Sequence, residues 1–171
     1  MNILAIGAHP DDIEFGCGGT LSKYSEKGHK VYMLVLSKGD KGGDSDVRQK
    51  EQENSARILR AETLYFGDYK DTEIVQSQKL ITEIEGFLKE IKPGFIFVHY
   101  YDDTHQDHRN LSDSTISATR YIHNVLFYEG PTTQNFTANV FVDITNALDK
   151  KLECLEAHVS KVSKTTIEEL T

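Results

Sequence analysis

Short unbroken apolar runs alternate with longer amphipathic stretches along this chain, and that alternation restricts the fold more than any other feature. Residues 3–7, 31–36 and 95–98 are apolar at almost every position, as strands buried on both faces must be. Residues 75–92 instead repeat Leu80, Ile81, Ile84, Phe87, Leu88 and Ile91 at helical spacing, with Pro93-Gly94 as the stop. Gly16, Gly18 and Gly19 read as a turn. Thr20 then caps a helix that carries Leu21 and Tyr24 and ends at Gly28. Residues 37–46 read as loop, 46–61 as a polar helix with Ala56, Ile58 and Leu59 inward, and 63–66 as a short strand. Helix is expected over 109–122 and 146–162, and strand over 124–128 and 139–144. The order β-α-β-α-β-α-β-α-β predicts a Rossmann-like three-layer α/β/α sandwich with a mostly parallel sheet, one domain over residues 1–171. In such sheets, ligands bind beyond the carboxyl ends of the strands.

Bulk properties exclude several classes. A net charge of −8 argues against a non-specific nucleic-acid binder, which needs a basic face. The 2 cysteines, Cys17 and Cys154, form no CxxC pair, so no zinc ribbon or dithiol motif is available. No apolar run approaches the roughly 20 residues of a membrane span, and the first residues lack the cationic start of a leader. A cytoplasmic location is expected.

Two polar clusters sit where the fold places ligands. Ala8-His9-Pro10-Asp11-Asp12 follows the first strand, and residues 99–108 follow the strand at 95–98. If those strands are adjacent, the two loops meet. Two imidazoles and a carboxylate make a common catalytic zinc set, and a further carboxylate can take a proton from the attacking water. The adjacent Asp11 and Asp12 can divide these tasks, since neighbouring side chains point different ways; spacing alone leaves open which does which. A lone loop histidine or Asp pair is usually a satisfied polar group or a turn.

His9-Pro10-Asp11-Asp12, continuing as Ile13-Glu14-Phe15-Gly16-Cys17-Gly18-Gly19-Thr20, resembles the opening signature of the LmbE-like, or PIG-L, deacetylases. His105-Gln106-Asp107-His108 resembles their second signature. The likeness continues through residues 48–53, 127–129, 141–144 and Ala157-His158, nearly the whole chain. The resemblance implies that His9, Asp12 and His108 hold a divalent metal, usually Zn2+. Asp11 would be the general base, His105 the cation or acid that stabilises the oxyanion and helps the amine leave, and Asp107 the residue that orients and charges His105. It implies removal of an acetyl group from an N-acetylglucosamine-type small molecule or glycoconjugate, and is consistent with a homo-oligomer. Arg48 resembles a position that contacts the sugar; Asp71, or Asp68, is placed to bind its hydroxyls. His99 reads as structural or pocket-lining, Cys17 as a core residue, and His158 as a helix residue in a family-like Ala-His pair that could reach the site but is not assigned to it. Gln106 stands where many members have proline, and the chain ends earlier than typical members do.

Two rival readings remain. One is a non-catalytic sugar- or metal-binding homologue. The other is a Rossmann-type nucleotide binder using Gly16-Cys17-Gly18-Gly19 as a phosphate loop. The spacing is not GxGxxG, and strand two ends Leu36-Ser37-Lys38 without the acid that would bind a ribose.

Overall fold

The computed structural model describes residues 1–162; residues 163–171, included in the expected single domain, lie outside the described residues. Five strands form one parallel sheet: β1 (Asn2–Gly7), β2 (Lys30–Ser37), β3 (Thr63–Tyr69), β4 (Phe95–His99) and β5 (Val125–Tyr128). Their order across the sheet is β3-β2-β1-β4-β5. All neighbouring pairs are parallel, so the mostly parallel sandwich expected from the sequence is wholly parallel among the described strands.

The helices are α1 (Asp12–Glu26), α2 (Ser45–Ile58), α3 (Gln78–Ile91), α4 (Gln106–Ala118), α5 (Leu148–Glu156) and the short α6 (Val159–Val162). β1 shows why both sides of the sheet are covered. Leu4, Ile6 and Ala8 pack into one core with Leu80 and Ile84 of α3 and Leu111 of α4. Ile3 and Ala5 pack into the other with Ile13, Cys17 and Leu21 of α1 and Ala56 of α2. The side-chain period of two thus delivers apolar groups to two separate layers.

The chain builds outward from β1 to β3, then returns to place β4 on the other side of β1. Ile3, Leu4 and Ala5 pair with Phe95, Ile96 and Phe97. The strand order therefore reverses between β1 and β4, where a crevice opens at their carboxyl ends.

Three sequence expectations need correction. The glycines at 16, 18 and 19 are not a turn, and Thr20 is not a cap: α1 begins at Asp12 and runs through them. A β-carbon on Gly16 would overlap the Tyr128 ring, and one on Gly19 would lie 2.7 Å from Ile144 Cδ1. Gly16 and Gly19 serve close packing, and all three glycines lie inside the helix, so they offer no loop for a phosphate. Gly28, at φ +81, does follow the helix end in a conformation that favours glycine. Residues 139–144 form no strand. Val140 and Phe141 both face solvent, and no strand of the sheet pairs with the segment, which Ile144 anchors against Gly19. Residues 146–162 are not one helix but a 3-10 turn, α5 and α6, interrupted at Ala157-His158.

Candidate active site

β1 ends at Gly7, and the next residues turn sharply. Asp11 takes a left-handed conformation (φ 90) just before α1, which is uncommon and costly for a residue with a side chain. Its N–H donates to Gln52 Oε1 at 3.1 Å. This turn swings His9, Asp11 and Asp12 over the crevice. From the other side, β4 ends at His99, and His105 caps α4, with its Nδ1 accepting the Asp107 N–H at 3.2 Å. That bond leaves Nε2 as the nitrogen that carries the proton in neutral His105.

The two loops meet around Asp12 Oδ2. His9 Nδ1 lies 3.3 Å from it, His108 Nε2 3.4 Å and His99 Nε2 3.2 Å. The far nitrogens of two of these rings rest on other carboxylates. His9 Nε2 is 3.0 Å from Asp107 Oδ2 and 3.2 Å from Asp71 Oδ1. His108 Nδ1 is 3.2 Å from Asp103 Oδ2. His99 differs, because its Nε2 accepts the Ala8 N–H at 3.2 Å. His108 Nε2 is buried and has no hydrogen-bond partner among the described residues. Ligands held about 2.0–2.1 Å from a tetrahedral ion stand about 3.3–3.4 Å apart, close to the spacings around Asp12. The described residues contain three His/Asp groups able to hold a metal, His9-His105-His108, Asp12-His99-His108 and His9-Asp71-Asp107, and the expected ligands His9, Asp12 and His108 are spread over these groups rather than forming one of them.

Burial and charge perturb these groups strongly. Burial works against a charged His9, but Asp107, Asp12 and Asp71 outweigh it and push its pKa up to about 11. His108 is likewise opposed by burial yet raised to about 9 by Asp12 and Asp103. Burial wins at His99, which falls to about 4, and it also lowers His105, helped by His9 and His108. Asp11 is raised to about 6, first by burial and then by Asp12, against the pull of Arg48, His158 and Lys161.

The predicted residues are brought together, with one change of partner. The Asp107 carboxylate does not hold His105; it bonds His9 and accepts the N–H groups of Thr72 and Ile74. As the second residue of α4, Asp107 presents its own N–H to His105, while its carboxylate reaches the opposite loop. Arg48 is buried and donates to the Gly39 and Pro10 carbonyls at 2.7 Å each, with Nη2 3.5 Å from Asp11 Oδ2. Asp71 is buried beside His9, whereas Asp68 is exposed.

Sequence reading missed Asp103, Glu14, Glu51 and Gln52, and it gave His158 no role. For Glu14, Glu51 and Gln52 the signal lies in helices whose buried face is polar, whereas Asp103 lies in the loop before α4 and His158 in the break between α5 and α6. Glu14 is fully buried, with Oε1 accepting from Gln52 Nε2 and Ser55 Oγ at 2.6 Å each. His158 packs behind it, with Nε2 3.7 Å from the same oxygen.

A cavity of about 280 Å3 opens over the cluster and is lined by His9, Asp11, Arg48, Asp71, His105 and Lys161, among others. A larger groove of about 690 Å3 runs beside β5 and holds none of the clustered histidines, so the smaller cavity is where chemistry can occur.

A parallel α/β sheet carrying a His/Asp cluster at the point where its strand order reverses defines a class of protein with an enzyme-type site able to hold a divalent ion. Comparison with known proteins narrows the class. The family profile described as PIG-L, GlcNAc-PI de-N-acetylase, matches residues 4–119. The chain is 33% identical over 167 residues to "Uncharacterized deacetylase YaiS" of Escherichia coli (strain K12), covering 92% of this chain and 90% of that one. It is 28% identical over 192 residues to the diacetylchitobiose deacetylase of Thermococcus kodakarensis, covering 93% and 69% respectively. The crystal structure of the conserved protein TT1542 from Thermus thermophilus matches with a TM-score of 0.89 at 23% identity, covering 98% of this chain and 83% of that one, which shows a shared fold. The chain belongs to the GlcNAc-PI de-N-acetylase (PIG-L) family, and the two relatives above are deacetylases by name. No described helix is long and apolar enough to cross a membrane.

Proposed function

We propose that this protein is a metal-dependent N-acetyl-sugar deacetylase in which His9, Asp12 and His108 hold a zinc or similar ion. The observation that carries the reading is the pair of imidazoles flanking Asp12 Oδ2, each with its far nitrogen on a carboxylate. Metal-binding histidines are commonly oriented and made more basic in this way. Bound there, a divalent ion supplies Lewis acidity, polarising the amide carbonyl and bringing the pKa of a water down to about 7.

The chain's own groups do the rest. Asp11 takes the proton from the attacking water and passes it to the departing nitrogen, and a pKa near 6 suits both tasks. His105 offers its Nε2–H to the developing oxyanion, a contact worth about 3–4 kcal/mol for one well-placed donor. The products are acetate and a free amine. Arg48 holds the loop carbonyls of Pro10 and Gly39, so it shapes the turn that carries Asp11 as well as facing the cavity. Asp71, buried beside His9 in the cavity wall, would receive sugar hydroxyls.

The deciding experiment measures metal per chain and acetate released from N-acetylglucosamine and diacetylchitobiose, for wild type and His108→Ala. About one ion per chain, lost together with acetate release in the variant, supports the reading. Metal without hydrolysis of any acetylated sugar points to a non-catalytic homologue. A wild type that takes up no metal from a zinc solution overturns the assignment.

A further inference from the structure

The segment 157–161 is fastened to the back of the site at two points. The Ser160 N–H and Oγ donate to the two carboxylate oxygens of Glu51, each at 2.7 Å. His158, 1% exposed, packs against the buried Glu14 that Gln52 and Ser55 hold. The Lys161 N–H then bonds the His158 carbonyl at 2.8 Å, so the backbone at 161 is set by buried contacts rather than by surface chain.

The outcome is a cation in the wall of the cavity. Lys161 lines the same space as His9 and Asp11. Its Nζ stands 2.9 Å from the position of a β-carbon on Gly42, and Arg48 Nη1 stands 2.6 Å from it. Any side chain at 42 would intrude on both cations. Arg48 is committed to two carbonyls and Asp11, whereas no described carboxylate lies within ion-pair distance of Lys161. Asp12 and Asp71 already face histidines. Asp11 feels this positive charge only from beyond ion-pair distance, so the ammonium suits a ligand that brings a negative group into contact.

Resting on the deacetylase reading, we propose that Lys161 is a specificity-determining residue that binds an anionic group, a phosphate or a carboxylate, carried by the acetylated sugar away from its scissile amide. The shared chemistry is an oxyanion at an ammonium.

The test compares acetate release from N-acetylglucosamine, N-acetylglucosamine 6-phosphate and N-acetylmuramic acid by wild type, Lys161→Ala, Lys161→Glu and Lys161→Arg. Wild type is expected to prefer one of the anionic sugars in kcat/KM. That preference should fall about tenfold or more in Lys161→Ala, invert in Lys161→Glu and largely return in Lys161→Arg, as for loss of a charge-assisted contact. The phosphate and carboxylate arms identify which anion is read. Equal losses on neutral and anionic sugars, or a shifted acid limb of the pH profile with the preference intact, would show that Lys161 only tunes Asp11 and would overturn the proposal. If no sugar is hydrolysed, the deacetylase reading fails separately. Calorimetric binding of the same three sugars to wild type and Lys161→Ala then still decides the role of Lys161, and no difference between anionic and neutral sugars refutes it.

Discussion

Asp11 concentrates two costs in one side chain: a left-handed backbone and a buried carboxylate. The carboxyl keeps its proton to about pH 6, against 3.8 for the free group. A group whose folded pKa is raised stabilises the fold when protonated and destabilises it when ionised, so at pH 7 ionised Asp11 works against folding by an amount on the order of 2–3 kcal/mol. Asp11→Asn removes the charge and keeps a residue that tolerates left-handed geometry. It should therefore melt higher than wild type at pH 7 in the absence of metal while losing about 100- to 10,000-fold in kcat, the range for a general base. Thermal melts beside initial rates check this, and a variant that is both less stable and fully active would contradict it. The wild-type kcat/KM profile should also lose activity with a one-proton slope as pH falls through about 6; an acid limb centred near 4 would remove Asp11 from the role. The residues of the first loop were legible in the sequence because they are contiguous and follow a strand. Asp103, Glu14 and His158 were not, because an acid or imidazole in a helix or loop looks the same whether it is solvated or packed behind a ligand.

At the scale of elements, α1 explains why glycines that resemble a turn are helical. Helix propensity alone disfavours three glycines in one helix, each costing about 1 kcal/mol against alanine. The seat against Tyr128 and Ile144 overrides it. The signal lay in no local window, since Tyr128 is on β5 and its hydroxyl donates to the Ile6 carbonyl at 2.9 Å. Two substitutions separate packing from propensity. Gly16→Ala should destabilise by about 1–3 kcal/mol through overpacking against the Tyr128 ring. Gly86→Ala, in the interior of α3 with nothing within 4 Å of the new β-carbon, should stabilise by about 0.5–1 kcal/mol. Urea unfolding of both variants tests the pair, and equal effects would show that the seat is not what permits the glycines. The buried strands and the strongly amphipathic α3 were readable because burial on one or both faces leaves a periodic record. Residues 139–144 alternate too, yet no strand edge receives them, and alternation without a partner does not make a sheet.

At the scale of the whole molecule, the proposed ligand set would couple ion binding to protons. Carboxylates hold His9 and His108 protonated to about 11 and 9, and an ion needs both rings neutral. Zinc affinity should accordingly rise at least about tenfold per pH unit between 6 and 8, as measured by competition with a chelating dye. Affinity that is flat with pH would mean that other residues bind the ion. Saturating zinc, at about 100 times its dissociation constant, should add about 2.7 kcal/mol to stability, and a chelator should remove it. The seam between β1 and β4 gives this coupling a further meaning. Ala8 and His99, bonded across that seam, are 91 positions apart in the chain, and the segment that carries His9 and Asp12 is made long before the one that carries His108. A chain emerging from the ribosome with only its first half has ligands but no socket. On the proposed ligand set, an ion would enter as a keystone only once both halves have closed, and its capture would mark the moment at which the two halves are assembled.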